Sequence, residues 1–277
     1  MSRTIEPAGT GTPLGPASVV VFDYPGRRAE ARISDLGLSD HGVLLDHLLE
    51  PSRLPREVTA RAYTTALVTS EPQRAGGDRV AAVLAYCAAT AMGREYADLV
   101  EESGEERPPL VCFDAGPVTL EDVENAYTAA LRQVSGGSQA DSSPPIPVAS
   151  LLDDPLRLTD AVRKDLTERA FRSLAADGLA ASDVAGPVDQ MVETNISWLT
   201  HLLAARDTTP RQPRGVILNV LSRDHTDQAE WLAGQDVRTV RIDCPRADLL
   251  CHPGTRSAVL SFLTEISGGP VQPTSGR

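Results

Sequence analysis

Nowhere in the 277 residues does an unbroken apolar run reach the about 20 residues that a bilayer crossing needs, so no membrane partner is expected. The opening segment Met1 to Pro13 lacks the charged-then-apolar order of a secretory signal, and a cytoplasmic location is the expectation. Cysteine is sparse: Cys87, Cys112, Cys244 and Cys251 are scattered, with no C-x-x-C pair and no His at metal-ligand spacing. That pattern indicates neither a disulfide framework nor a metal site. Basic charge is also short, with 26 Lys and Arg against 38 Asp and Glu, a formal net charge of −12, and Lys164 as the one lysine. This balance argues against nucleic acid as a partner, because neutralising phosphates takes a basic face.

What is present is an alternation of apolar runs and helical patterns. Ala17 to Phe22 is a β-branched run ending in the turn Asp23-Tyr24-Pro25-Gly26, and reads as a buried strand. A helix is expected around His41 to Glu50 and a strand over Ala62 to Ser70, with Gly76-Gly77 separating that strand from the next. Val80 to Tyr86 is a strand, Ala88 to Glu102 a helix and Pro108 to Phe113 another strand. From about Leu120 to Asp207 the pattern is helical, opening at Thr119 as N-cap with Asp122 as its capping-box partner. The polar run Ser135 to Pro145 reads as a flexible loop, and helices follow over Asp160 to Asp177 and Pro187 to Arg206. Strands resume at Gly215 to Ser222 and Val237 to Asp243, with a short helix over Gln228 to Ala233 between them. The chain closes on a helix from Thr255 to Ile266. Such alternation predicts an α/β fold with a mainly parallel sheet flanked by helices and an all-helical lid inserted before the last two strands. The boundaries expected are 14–118 and 214–268 for the core and 119–213 for the insertion, with 1–13 and 269–277 as flexible tails. An ordinary helical subdomain would give the same insertion pattern.

Functional groups of a parallel sheet collect at the carboxyl ends of its strands, and Tyr24, Cys87 and Asp114 all fall there. Cys87 stands at a strand-to-helix junction in Ala85-Tyr86-Cys87-Ala88-Ala89. An α/β-hydrolase holds its nucleophile on such a strained elbow, usually as G-x-S-x-G. Here a thiol replaces the serine and alanines replace both glycines, and a buried structural cysteine remains the plain alternative. A catalytic thiol needs a base, and His252, in a loop before the last helix, has the chain order nucleophile, acid, His that this fold uses. Asp114 and Asp224 each follow a strand and could orient the imidazole. The backbone N–H groups of Ala88 and Tyr24 are the candidate oxyanion donors, since Pro25 has none to give.

With Cys87 in the elbow, Asp114 after the next strand, a helical insertion and His252 before the last helix, the layout resembles thioesterases that release products from carrier proteins. The spacing of the three residues is closer still to the Dieckmann cyclases of hybrid polyketide and nonribosomal peptide pathways, which release tetramate or pyridone products. That resemblance implies an α/β-hydrolase core with a helical lid and a catalytic set of Cys87, Asp114 and His252, with Asp114 preferred over Asp224. It implies a peptidyl or acyl carrier protein as partner and a small-molecule thioester as substrate. No cofactor is expected beyond the carrier's phosphopantetheine. The expected reaction is intramolecular C–C bond formation through a Cys87 acyl-enzyme.

Two other readings fit the same residues. One is a type II-like thioesterase or acyl shuttle; the other is a catalytically inactive hydrolase-fold scaffold, which the alanines at the elbow favour. Met191, Trp198 and Leu202 could line an acyl tunnel or be plain helix core. Docking to an acidic carrier would rest on a local Arg cluster, given the acidic balance of the chain.

Overall fold

Aliphatic runs with no polar alternation are what a sheet covered on both faces requires. The computed structural model describes residues 18–26, 31–70, 79–135, 146–176, 181–226, 231–232 and 236–267. Six strands form one sheet: β1 (Ser18–Phe22), β2 (Leu44–His47), β3 (Val80–Tyr86), β4 (Leu110–Phe113), β5 (Val216–Leu221) and β6 (Asp236–Arg241). Their spatial order is β2-β1-β3-β4-β5-β6, and every neighbouring pair is parallel. The helices are α1 (Ala60–Ser70), α2 (Thr90–Glu102), α3 (Leu120–Val134), α4 (Val148–Leu151), α5 (Pro155–Ala176), α6 (Ala181–Arg206) and α7 (Pro253–Ile266).

Strand side chains alternate between two cores, as the period of two dictates. Val20, Phe22, Val83, Ala85 and Cys112 face helices α1, α2, α3, α5 and α6. Val19, Val21, Leu84, Tyr86, Val111 and Phe113 face α7 and the 3₁₀ turns Ile33–Leu36 and Arg246–Cys251. Burying each large aliphatic or aromatic side chain here is worth roughly 1.5–3 kcal/mol.

The helical insertion lies between β4 and β5, where α6 packs on α1, α2, α3 and α5 and reaches the turn after β3. Its entry at Thr119 is the expected capping box: Thr119 Oγ1 accepts the Asp122 N–H at 3.2 Å, and the Asp122 carboxylate accepts the Thr119 N–H at 2.7 Å. No helix is long and apolar enough to cross a membrane among the described residues.

Two elements differ from the sequence expectation. The segment from His41 to Glu50 holds strand β2 rather than a helix, and its Leu44 is exposed at the sheet edge. Ala62 to Ser70 belongs to helix α1, whose buried residues Ala60, Tyr63, Thr64 and Leu67 fall at helical spacing. The expected loop over 136–145, the tails and most of the helix expected over Gln228 to Ala233 lie outside the described residues.

Candidate active site

Three strands end level at the carboxyl edge of the sheet. Tyr86 of β3 pairs with Phe113 of β4, and Phe113 pairs with Val220 of β5, so Cys87, Asp114 and the turn after β5 emerge side by side. Cys87 has φ of 53° and Asp114 has φ of 43°, the two non-glycine residues with left-handed backbone among those described. Such conformations cost about 1–3 kcal/mol each for side-chain-bearing residues and concentrate at functional sites. Cys87 is half-buried and opens the 3₁₀ turn Cys87–Ala89 leading into α2, which is the geometry of a nucleophile elbow.

The alanines at the elbow are accommodated by a glycine elsewhere. A Cβ at Gly93 of α2 would come within 3.0 Å of the Ala85 methyl and 3.3 Å of Val83 Cγ1. The missing side chain thus lies on the helix, and α2 seats directly on β3 with Ala85 fully buried.

Asp114 is 0% exposed. Its Oδ1 accepts the Ser222 N–H at 2.7 Å and its Oδ2 accepts the Ser222 hydroxyl at 2.8 Å. Those two bonds tie the carboxylate to the first residue after β5 and offset its burial. His225, three residues further on, places Nδ1 3.9 Å from Asp114 Oδ1, and its Nε2 lies 3.1 Å from the Ala115 carbonyl. A carbonyl only accepts, so in the tautomer that bonds Ala115 the proton is on Nε2 and Nδ1 carries the lone pair, whereas protonation of both nitrogens lets each face an acceptor. Arg241 holds this turn by donating from Nη1 to the carbonyls of Ser222 at 2.8 Å and His225 at 2.8 Å.

On the sulfur itself sits a guanidinium. Arg246, the first residue of the 3₁₀ turn that follows β6, donates from Nη2 to Cys87 Sγ at 2.9 Å and from Nε to the Tyr86 hydroxyl at 3.0 Å. Its Cζ lies 5.5 Å from the Tyr86 ring centroid, a cation over an aromatic face. Burial pushes the Cys112 thiol up to about 12, keeping it a neutral core residue.

A cavity of about 580 Å³ opens over the elbow, lined by Tyr24, Cys87, Ala88, Asp114, His225 and Arg246 on the sheet side. The insertion contributes its other wall, including Asn125 and Ala129 of α3 and Trp198, His201 and Leu202 of α6. Among the expected site residues, Cys87, Asp114, Ala88 and Tyr24 thus share one space. Trp198 and Leu202 also line it, whereas Met191 does not.

His252 has a capping role. It is the N-cap of α7, its Nδ1 accepts the Gly254 N–H at 3.1 Å, and it does not line the cavity. His252 thus has its Nδ1 engaged in the cap, and the group that touches the Cys87 sulfur from the segment after β6 is Arg246. Asp224 is exposed on the turn after β5, also outside the lining. Sequence reasoning passed over His225 because it follows a strand other than the last. Arg246 carries no sequence signal, its link to Cys87 being purely spatial. No group of three or more His, Cys, Asp or Glu is arranged to hold a metal among the described residues.

No protein-family model matches the chain, and no curated protein matches it in sequence. Solved structures do match in fold. One is RedJ with a PEG molecule bound in its active site, at a TM-score of 0.51 and 14% identity, covering 96% of this chain and 98% of that one. RedJ is described as a thioesterase from the prodiginine biosynthetic pathway in Streptomyces coelicolor. Another is holo-AB3403, a four-domain nonribosomal peptide synthetase bound to AMP and glycine, at a TM-score of 0.52 and 16% identity over 91% of this chain. The chain spans 20% of that synthetase's length. The likeness is one of architecture, and it gives this chain an α/β-hydrolase fold.

Proposed function

We propose that the protein takes an acyl chain from a carrier-bound thioester onto Cys87 and releases it by intramolecular C–C bond formation, the Dieckmann reaction. The observation that carries this reading is the strained elbow thiol under a guanidinium, 2.9 Å from Arg246 Nη2, at the floor of a cavity walled by the helical insertion. The sulfur of Cys87, as thiolate, attacks the carrier thioester carbonyl. A new C–S bond forms, and the carrier's phosphopantetheine leaves as thiolate. Exchange between two thioesters is nearly balanced in free energy, so the acyl carbon stays activated. Arg246 supplies the counter-charge to whichever sulfur is anionic at the elbow.

Ring closure needs a base for the acidic methylene of a β-ketoamide. His225, which lines the cavity, fills that role, its imidazole taking the proton and the neighbouring Asp114 stabilising the imidazolium. The carbanion attacks the Cys87 thioester, a C–C bond forms, and the sulfur departs as thiolate towards Arg246. The proton on His225 then passes to solvent. The cavity keeps the chain folded for closure and limits competing water. Backbone N–H groups of Ala88 and Tyr24 remain the proposed oxyanion donors, and a peptidyl or acyl carrier protein the proposed partner.

A second reading, an acyl shuttle or type II-like thioesterase, is favoured by one detail: a guanidinium rather than an imidazole touches the sulfur. Thiol-to-thiol exchange needs no base for water or carbon. Mass spectrometry of wild type and Cys87→Ala with a β-ketoacyl-aminoacyl thioester separates the readings. A Cys87-dependent product equal to the acyl chain with no added water supports cyclisation. A product carrying one water supports a thioesterase, and transfer to a second thiol supports a shuttle. Full activity of Cys87→Ala overturns all three.

A further inference from the structure

Within the cavity wall one polar side chain has no explanation in the chemistry above. His201 of α6 is 0% exposed, and neither of its ring nitrogens has a hydrogen-bond partner among the described residues. It stacks on Trp198 at 5.6 Å and 21°, and lies 4.6 Å from the Tyr24 ring and 5.6 Å from the Tyr63 ring, centroid to centroid. Trp198, Tyr24 and His201 all line the cavity that contains Cys87.

An unsatisfied buried polar group costs about 1–3 kcal/mol, and this ring carries two of them where a leucine or phenylalanine would carry none. Burial pushes its pKa down to about 3, so at neutral pH the imidazole is uncharged, with one N–H donor and one lone pair. It is therefore suited neither to act as a cation nor to pair with a carboxylate. What it can do, once the Tyr24 or Trp198 ring packed on it turns aside for a ligand in the cavity, is meet a neutral polar group that the ligand brings in.

We propose that His201 is a specificity-determining residue that donates its ring N–H to an amide carbonyl within the acyl chain, selecting amide-bearing chains over plain alkyl chains. This inference rests on the reading of the cavity as an acyl-chain site. A fatty acyl chain would leave both ring nitrogens unpaired, so discrimination comes from the free energy of the unmade bond. Tyr24 and Trp198, which meet edge to face at 4.8 Å, would border the amide plane.

The test uses full-length Cys87→Ala protein, which binds without turnover, and two esters of equal chain length: N-octanoylglycine methyl ester and methyl undecanoate. Calorimetry gives the ratio of their affinities. His201→Phe is expected to lower the amide-to-alkyl ratio at least tenfold, while His201→Gln, which keeps a donor, retains most of it. In protein with His201 intact, the amide ester should shift the ¹⁵N resonances of the His201 ring and the alkyl ester should not. An unchanged ratio in a folded His201→Phe protein overturns the proposal. So does the absence of an amide-specific ring shift, which needs no substitution at position 201, and so does failure of the amide ester to bind. If the amide ester binds selectively while His225→Ala forms no Cys87 acyl-enzyme by intact mass with a β-ketoacyl-aminoacyl thioester, the acyl-enzyme reading fails and the subsite stands.

Discussion

Arg246 and Cys87, 159 positions apart in the chain, meet through an Nη2-to-Sγ hydrogen bond of 2.9 Å. A bond to a charged group is worth about 1.5–3 kcal/mol when shielded, and the exposure of Arg246 places the effect at the low end. Arg246→Gln should therefore slow alkylation of Cys87 at pH 7 about tenfold, with Arg246→Lys in between. Peptide mapping after iodoacetamide, with exposed Cys251 as internal reference, measures this directly. An unchanged Cys87-to-Cys251 rate ratio would mean that the guanidinium does nothing for the sulfur.

Asp114 offers a separation of fold from charge. Asn tolerates left-handed backbone, and its amide oxygen can accept the Ser222 N–H while its amide nitrogen donates to the Ser222 hydroxyl. Asp114→Asn should therefore keep the melting temperature within a few degrees of wild type and lower turnover at least a hundredfold, since the charge beside His225 is gone. Asp114→Ala, which leaves the buried Ser222 N–H unpaired, should lower stability by about 1–3 kcal/mol. Thermal melts and single-turnover assays on both variants distinguish these effects.

The sheet was legible because Ser18 to Phe22, Val80 to Tyr86 and Val216 to Leu221 are too continuously apolar to be anything but doubly covered strands. The elbow was legible for the same reason, as a small-residue break at the end of such a run. Leu44 to His47 misled because a four-residue edge strand buries too little to imprint alternation, while the leucines around it mimic a helix face. The β-branched Thr64, Thr65, Val68 and Thr69 read as strand, yet Thr65 and Thr69 return their hydroxyls to the carbonyls of Arg61 and Thr65 in α1. Position in the chain favoured His252 over His225, but position does not record which way a loop turns. There the 3₁₀ turn at Arg246 enters the site and His252 ends as a helix cap. His201 sits three residues after Trp198 on one helix stripe, and only its unpaired nitrogens distinguish it from core.

Gly93 tests whether close seating of α2 holds the elbow. Alanine there would gain about 1 kcal/mol of helix propensity. Against that, its methyl would press on Ala85 at 3.0 Å and on Leu110 Cδ1 at 3.4 Å, and overpacking of this kind costs about 1–3 kcal/mol. Because Ala85 is two residues before Cys87, the displacement is transmitted to the nucleophile. Gly93→Ala should lower the melting temperature by about 2–4 °C per kcal/mol lost and slow acylation of Cys87 more than its alkylation. A melting temperature at or above wild type would show that α2 has room to retreat.

Acid stability carries a signature of His201. Its folded pKa of about 3 lies below the unfolded value near 6.5, so between those pH values the unfolded chain binds the extra proton. Stability contributed by the neutral buried ring is complete above about pH 6.5 and is lost as pH falls towards 3. Between pH 7 and pH 5 the difference amounts to about 2 kcal/mol. Unfolding free energies from urea titrations at the two pH values should therefore fall more for wild type than for His201→Gln, by about that amount. Equal pH dependence in the two proteins would place the ring in contact with water.

The two histidines that follow strands make opposite predictions, and they locate the base. His252 caps α7 through its Nδ1, so His252→Ala should cost about 1 kcal/mol of stability, the usual worth of a cap, and leave turnover within a few-fold of wild type. His225 lines the cavity beside Asp114, so as the proposed base its replacement in His225→Ala should lower ring closure at least a hundredfold. Acyl transfer onto Cys87 needs no proton from carbon, so the same variant should still load. Intact-mass measurement should then show the Cys87 acyl-enzyme accumulating in His225→Ala and not in wild type. Loss of turnover in His252→Ala with His225→Ala active would put the base at the junction of β6 and α7. The contact between Arg246 and Cys87 would then have to open during catalysis.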